Sequence, residues 1–282
     1  MKLVSYIALL RPHQWLKNLL LLFPPFFGGK MVEPDVLANV LPALLSFSFV
    51  ASCSYIINDI NDIEADRNHG VKRNRLIARG DIPVPFALVI AFLLFAAAFL
   101  ISFTISPWFS GLLGVYLLIS LSYTFFVKNK VILDIFFIAF GFLIRVLAGG
   151  EAFTIPVTSW LFLTVFMVSL LLAAGKRLGE LVTLGDEAHR HRKSLTLYTD
   201  SFLRGILWFS ASSALVTYAL YTLEHRSELF YTVPVAAFGL LRYIYIVKDG
   251  KGDPTDALIR DGQIMGVGIL WVLMIGAIIY MP

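Results

Sequence analysis

Nine stretches of this chain run apolar for about the twenty residues that a bilayer-crossing helix needs. They cover 16–33, 36–57, 84–104, 107–126, 131–150, 157–175, 203–222, 228–247 and 262–281, and Pro42 interrupts the second. Little else in protein physics tolerates such a pattern. Over the whole 282 residues, 58% are hydrophobic and only 15% charged. A soluble domain carries about a quarter charged residues. The expectation is an all-α polytopic membrane protein with about nine transmembrane helices, forming one integral-membrane domain over residues 1–282. No cleavable signal peptide is expected, because Arg11 and Pro12 break the first apolar run. Cys53 stands alone in an apolar run and is read as packing, with no disulfide framework.

The cations orient the spans. With the N-terminus inside, inner segments hold nineteen Lys and Arg residues and outer segments hold two, Lys30 and Arg226. Cytoplasmic loops carry the excess of such residues. The expected arrangement is therefore N-terminus in and C-terminus out, in an inner or plasma membrane. The two longest loops, 58–82 and 176–200, then face the cytoplasm. The formal net charge of +4 reports those loops and calls for no nucleic-acid partner.

The uncharged run "LLSFSFVASCSYII" passes directly into "NDINDIEADRNHGVKRNRLIARGDI". Carried on at 100° per residue, a helix places Asn58, Asp59, Asp62 and Asp66 within one arc of about 100°. Three carboxylates on one face repel each other unless a cation joins them. Mg²⁺ suits oxygen donors of this kind, since it takes one or two carboxylates, keeps waters and shares substrate phosphate oxygens. The glycine and closing Glu of a calcium-binding EF-hand loop are absent. Asp59, Asp62 and Asp66 are thus the candidate metal ligands and catalytic residues. Asn58, Lys72, Arg73 and Arg75 are candidate substrate contacts beside them.

These residues resemble the first aspartate-rich motif of the UbiA superfamily of intramembrane prenyltransferases. In that family N-D-x-x-D-x-x-x-D precedes a basic run and an R-P-I/L-x-x-G element; here "RLIARG" places Leu76 where Pro is frequent. The resemblance implies a UbiA-like helical bundle with a cytoplasmic catalytic face. Typical members carry a second D-x-x-x-D motif after the sixth helix. Here "GKRLGELVTLGDEAHRHRKSLTLYTD" has none, and Lys176, Arg177, Arg190, Arg192 and Lys193 make the loop basic. Such a loop suits phosphate held directly by Arg and Lys. With "LRPHQWLKN", "YTFFVKNKVILD", "GFLIRVLAGG" and "RKSLTLYT", it is similar to one branch of the superfamily. That branch is the decaprenyl-phosphate phosphoribosyltransferases of arabinan biosynthesis in the cell wall. The resemblance implies Mg²⁺ as cofactor, and phosphoribosyl pyrophosphate and a polyprenyl phosphate as substrates.

Arg11, Lys17, Tyr123, Lys128, Lys176, Arg177, Glu180 and Arg192 are further candidates to border this site. Asp134 and Arg145 share a helix face but stand about 16 Å apart, so they cannot pair. An Arg at membrane depth is a functional candidate by default, and Arg145 is expected to line a polar cavity or to be satisfied by neighbouring helices. Arg242 is expected to snorkel. Two other readings stay open. An aromatic prenyltransferase would share the first motif but wants a second acidic site. A transporter would place ionisable residues near mid-membrane on repeated, interrupted helices. The sequence leaves a homo-oligomer open.

Overall fold

A computed structural model describes residues 3–68, 70, 72–184, 195–250, 252, 253, 257 and 260–281. Among them every regular element is helical. The α-helices are α1 (Leu3–Leu10), α2 (Phe23–Phe27), α3 (Pro34–Asn61), α4 (Ile63–Arg67), α5 (Val84–Phe103), α6 (Pro107–Ser122), α7 (Leu133–Ala152), α8 (Ser159–Leu184), α9 (Asp200–His225), α10 (Val233–Val247) and α11 (Gly262–Tyr280). Eight helices among the described residues are long and apolar enough to cross a membrane. They correspond to eight of the nine expected stretches.

The ninth, 16–33, differs in kind. Pro12–Leu22 is a 3-10 helix that runs into α2. Three residues per turn align Trp15, Asn18 and Leu21 in one stripe, whereas an α-helix would rotate each by about 60° from the last. The stripe has built partners: Trp15 Nε1 donates to Ser52 Oγ at 3.0 Å and Asn18 Nδ2 to Ser48 Oγ at 3.0 Å. At about 2 Å rise per residue, its eleven residues reach about as far as fifteen residues of α-helix.

Pro42 does not shorten the second long span, because α3 continues through it. The hydroxyl of Ser46 donates to the Pro42 carbonyl at 2.7 Å. Helix starts follow ordinary rules. Pro34 and Pro107 begin α3 and α6, where the missing N–H costs nothing. Ser106, Thr199 and Asp261 cap α6, α9 and α11 by accepting backbone N–H bonds.

The chain divides into two compact units. The first comprises Met1–Pro25, Lys30–Lys128 and Ile144–Pro156. Its helix α5 shows how packing works without a hydrophobic drive between helices. Ala87, Ala91, Ala98 and Ser102 are buried, while Leu88, Phe92, Leu93, Leu100 and Phe103 are exposed. Small residues let backbones approach, and large ones face lipid. The second unit comprises Phe26–Gly29, Asn129–Leu143 and Val157–Pro282. Here α8 lies against α9, with a Thr164–Thr217 hydroxyl bond of 3.0 Å between them. A Cβ added at Gly179 would stand 2.6 Å from the Gly252 nitrogen and 3.0 Å from the Gly250 carbonyl oxygen, so only glycine allows the backbone of those two residues to dock there. That docking brings Asp253 to Lys176 at 3.0 Å. Arg242 does not simply snorkel: it pairs with Asp261 at 2.8 Å. The Arg242 guanidinium, with backbone N–H groups of α11, holds the Asp261 carboxyl down to about 2.

Candidate functional site

The acidic motif does not lie on one unbroken helix. α3 ends at Asn61, Asp62 takes φ −103° and ψ 12°, and α4 restarts at Ile63. Two i→i−4 bonds bracket the break: Asp62 N–H to Asn58 at 3.0 Å and Asp66 N–H to Asp62 at 2.8 Å. The carboxylates therefore sort into a pair and a single. Asp59 and Asp66 converge on one atom, Nη1 of Arg75, at 3.0 and 2.7 Å. Asp62 turns to Lys128 instead, with Asn61 Nδ2 donating at 2.9 Å.

Arg75 reaches the pair because the turn after it is tight. Gly80 takes φ +86°, open to glycine without strain, and its N–H closes on the Ile77 carbonyl at 3.1 Å. Arg67 Nε ties the segment back through the Ala78 carbonyl at 2.9 Å. Arg11 completes the cluster from the N-terminal side, donating Nη2 to both oxygens of Asp59 at 2.6 Å and lying over the Tyr55 ring at 5.5 Å. Its backbone is left-handed, φ 54° and ψ 58°, immediately before Pro12. Such a conformation in a non-glycine residue costs about 1–3 kcal/mol and persists where the surroundings demand it.

The π-helical segment Tyr123–Val127 delivers the remaining partners. Lys128 N–H bonds to the Tyr123 carbonyl five residues back, at 3.0 Å. The extra residue in that turn aims Thr124 Oγ1 at Asn58 Oδ1, 3.2 Å, and Lys128 at Asp62. π-Turns within helices recur at functional sites.

Arg145 is buried in the first unit, with Nε on Asn18 Oδ1 at 2.8 Å and Nη2 on the Tyr116 hydroxyl at 3.0 Å. Its guanidinium also lies 4.6 Å from the Tyr116 ring centre. Neighbouring side chains thus satisfy it, and its known partners tie the N-terminal 3-10 helix to α7.

The second unit holds another charged group. Arg177 is fully buried and gives Nε to Asp134 at 2.7 Å and Nη1 to Glu180 at 2.8 Å. The Tyr198 hydroxyl donates to Asp134 at 2.6 Å and accepts the Ile132 N–H at 2.7 Å. Ile132, at φ 68°, is a β-branched residue in the left-handed region, which is a genuine outlier. Burial first, and the bond to Asp134 second, push the Tyr198 phenol well above its usual 10. It remains a proton donor through the physiological range.

The other candidates fall as follows. Lys17 is half-buried and bonds Gln14 on its own turn. Lys72 and Arg73 sit on the short turn before Arg75, with Arg73 exposed. Tyr123 opens the π-helical segment. Lys176 meets Asp253. Arg192, with Arg190 and Lys193, lies outside the described residues. Sequence reasoning set Arg11 at the border of the site without giving it a partner, and left Thr124 off the site.

Among the described residues no group of three His, Cys, Asp or Glu side chains forms a complete metal cage. The donor chemistry nonetheless fits Mg²⁺. One cationic nitrogen already stands within reach of both Asp59 and Asp66. Two carboxylates completed by water and phosphate oxygens is what that ion takes.

Comparison with known proteins agrees with this layout. Residues 21–277 match the model of the UbiA prenyltransferase family. A decaprenyl-phosphate phosphoribosyltransferase of Mycolicibacterium smegmatis is 37% identical over 97% of this chain and 92% of its own length. Its counterpart from Mycobacterium tuberculosis is 34% identical over 96% and 93%. The solved structure of a UbiA homologue from Archaeoglobus fulgidus, bound to GPP and Mg²⁺, superposes with a TM-score of 0.76. That match covers 99% of this chain and 100% of the other at 19% identity, which speaks to the fold. With the helical architecture and the matched residues together, the chain belongs to the UbiA prenyltransferase family.

Proposed function

We propose that this chain transfers the 5-phosphoribosyl group of phosphoribosyl pyrophosphate to a polyprenyl phosphate of the decaprenyl class, releasing pyrophosphate. Near-full-length similarity to decaprenyl-phosphate phosphoribosyltransferases supports the reaction. Residues 1–282 act as one integral-membrane domain, and the reaction takes place on the cytoplasmic side, where the cation-rich segments 58–82 and 176–200 are expected.

The observation that carries the reading is the interleaving of acids and cations at the end of α3. Asp59 and Asp66 are buried, and Arg11, Arg75 and Lys128 stand among the acids. A site for a pyrophosphate needs both signs. Asp59 and Asp66, with Asp62 beside them, would hold Mg²⁺, which supplies Lewis-acid neutralisation of the charge gathering on the leaving group. Arg11, Arg75 and Lys128 bind phosphate oxygens, with Arg suited to two-pronged contact. Asn58, fixed by Thr124, orients the acidic turn.

The bonds balance simply. The C1–O bond to pyrophosphate breaks, and pyrophosphate leaves with the electron pair. An ionised oxygen of the polyprenyl phosphate forms the new bond to C1. No general base is needed, because that nucleophile carries no proton to remove. The chain's work is positioning and preorganised charge. Lys176, Lys72 and Arg73 are proposed to recruit the anionic substrates, while Arg177, Glu180 and Asp134 hold the helix ends that present them.

Replacing Asp59, Asp62 or Asp66 singly by Asn, in protein that still inserts and purifies, tests the assignment. Loss of turnover, and loss with EDTA reversed by Mg²⁺, is the expected result. Wild-type turnover in all three variants refutes the metal-binding role.

A further inference from the structure

We propose that Arg75 and Arg11 are exchangeable counter-cations, which leave Asp59 and Asp66 for the anionic substrate only when a divalent metal takes their place. The inference rests on the metal-binding role of Asp59 and Asp66. Its basis is an asymmetry of burial. The side chains of Asp59 and Asp66 are 6% and 4% exposed, whereas Arg75 and Arg11 are 24% and 19% exposed. Lys128 and Asp62 are alike, 17% and 20% exposed, so that pair stands outside the asymmetry. The carboxylates are fixed in the protein; the cations reach them from a more open side, each from a different segment. Arg11 comes from the turn after α1 and Arg75 from the loop after α4.

The electrostatics forbid either half of the exchange alone. An anion that drew Arg75 away would strip buried Asp66 of its cation and leave Asp59 to Arg11 alone, which is costly. A metal that displaced Arg75 without an anion would crowd several cations around a dication. Metal and anion together leave every charge paired. The two ligands must therefore bind with positive coupling, and the coupling is reciprocal. The left-handed turn at Arg11 fits this reading, because a strained backbone is stabilised by its two bonds to Asp59 and eased when they are released.

Mn²⁺ binding to the full-length, detergent-purified chain, followed by electron paramagnetic resonance of free Mn²⁺, tests the proposal without any turnover. In the absence of an anion, Arg75→Gln should bind Mn²⁺ at least about tenfold more tightly than wild type. Arg75→Lys, which keeps the charge, should stay near wild type. Pyrophosphate, with its own Mn²⁺ complex accounted for, should tighten Mn²⁺ binding to wild type by about tenfold or more, and much less to Arg75→Gln. If Arg75→Gln does not purify as a monodisperse protein, Arg11→Gln carries the same expectation. Unchanged or weaker Mn²⁺ binding in the Gln variants, with Asp59→Asn abolishing it, overturns the exchange and leaves the metal role standing. Mn²⁺ binding that survives in Asp59→Asn overturns the metal role itself.

Discussion

Replacing Tyr198 with Phe removes one oxygen and tests the buried network of the second unit. The ring stays, along with its stacking on Phe202 at 6.2 Å between centres. Two bonds go. The Ile132 N–H, now bonded at 2.7 Å, loses its acceptor, at about 1–3 kcal/mol for an orphaned donor. Asp134, fully buried, loses a donor at 2.6 Å, a charge-assisted bond of about 1.5–3 kcal/mol. Freeing Ile132 from its left-handed conformation returns about 1–2 kcal/mol. Arg177 still pairs with Asp134, so no buried charge is stranded. The net loss is about 2–4 kcal/mol, on the order of a 10 °C fall in melting temperature. Thermal unfolding followed by intrinsic fluorescence in detergent measures it. Ile132→Gly provides the companion: its side chain is 44% exposed, and glycine meets no left-handed penalty, so stability should hold or rise. The sign with pH follows from the raised phenol. Its contribution is fully present below about pH 10 and falls as pH rises beyond, because the unfolded chain ionises first. A Tyr198→Phe melting temperature within about 2 °C of wild type, or an equal fall in Ile132→Gly, refutes the role given to the Tyr198 hydroxyl.

Arg177→Met should lower stability by about 3–5 kcal/mol, because it strands Asp134 in a buried site; Lys176→Ala should leave the melting temperature near wild type and raise KM for an anionic substrate, and unfolding with kinetics separates the two. Gly179→Ala forces the backbone of Gly250 and Gly252 off α8 and should cost at least about 2 kcal/mol in thermal unfolding. Cysteines introduced at Arg75 and Arg190 should be labelled from the cytoplasmic side only, the native Cys53 being buried; labelling of both from outside overturns the orientation.

The spans were legible because lipid demands long apolar runs, and the acidic motif because carboxylates at the end of such a run need an explanation. The N-terminal segment was readable as apolar but not as 3-10, since that geometry comes from Ser48 and Ser52 on α3, far off in sequence. Arg11 was legible as a border residue, but not its contact with Asp59, because that reach depends on a left-handed turn that tertiary contacts impose. The π-helical turn at Tyr123 has no sequence signature of its own. Arg177 reads alike whether it meets substrate or Asp134. The clue was Asp134 itself, a charge opening an apolar span, which needs a partner. The separation of Asp134 from Arg145 was legible from helix geometry, and the two have different partners. Asp62 parted from Asp59 and Asp66 because the helix breaks there, which a fixed 100° step does not foresee.

The central claim is the identity of the two anions joined. Purified chain in detergent, with Mg²⁺, phosphoribosyl pyrophosphate labelled in the ribose, and decaprenyl phosphate, tests it most directly. The account predicts ribose label in the lipid phase with equimolar pyrophosphate released, and no transfer when decaprenol replaces its phosphate. Absence of label in the lipid, with transfer instead from a prenyl pyrophosphate to an aromatic acceptor, would contradict it.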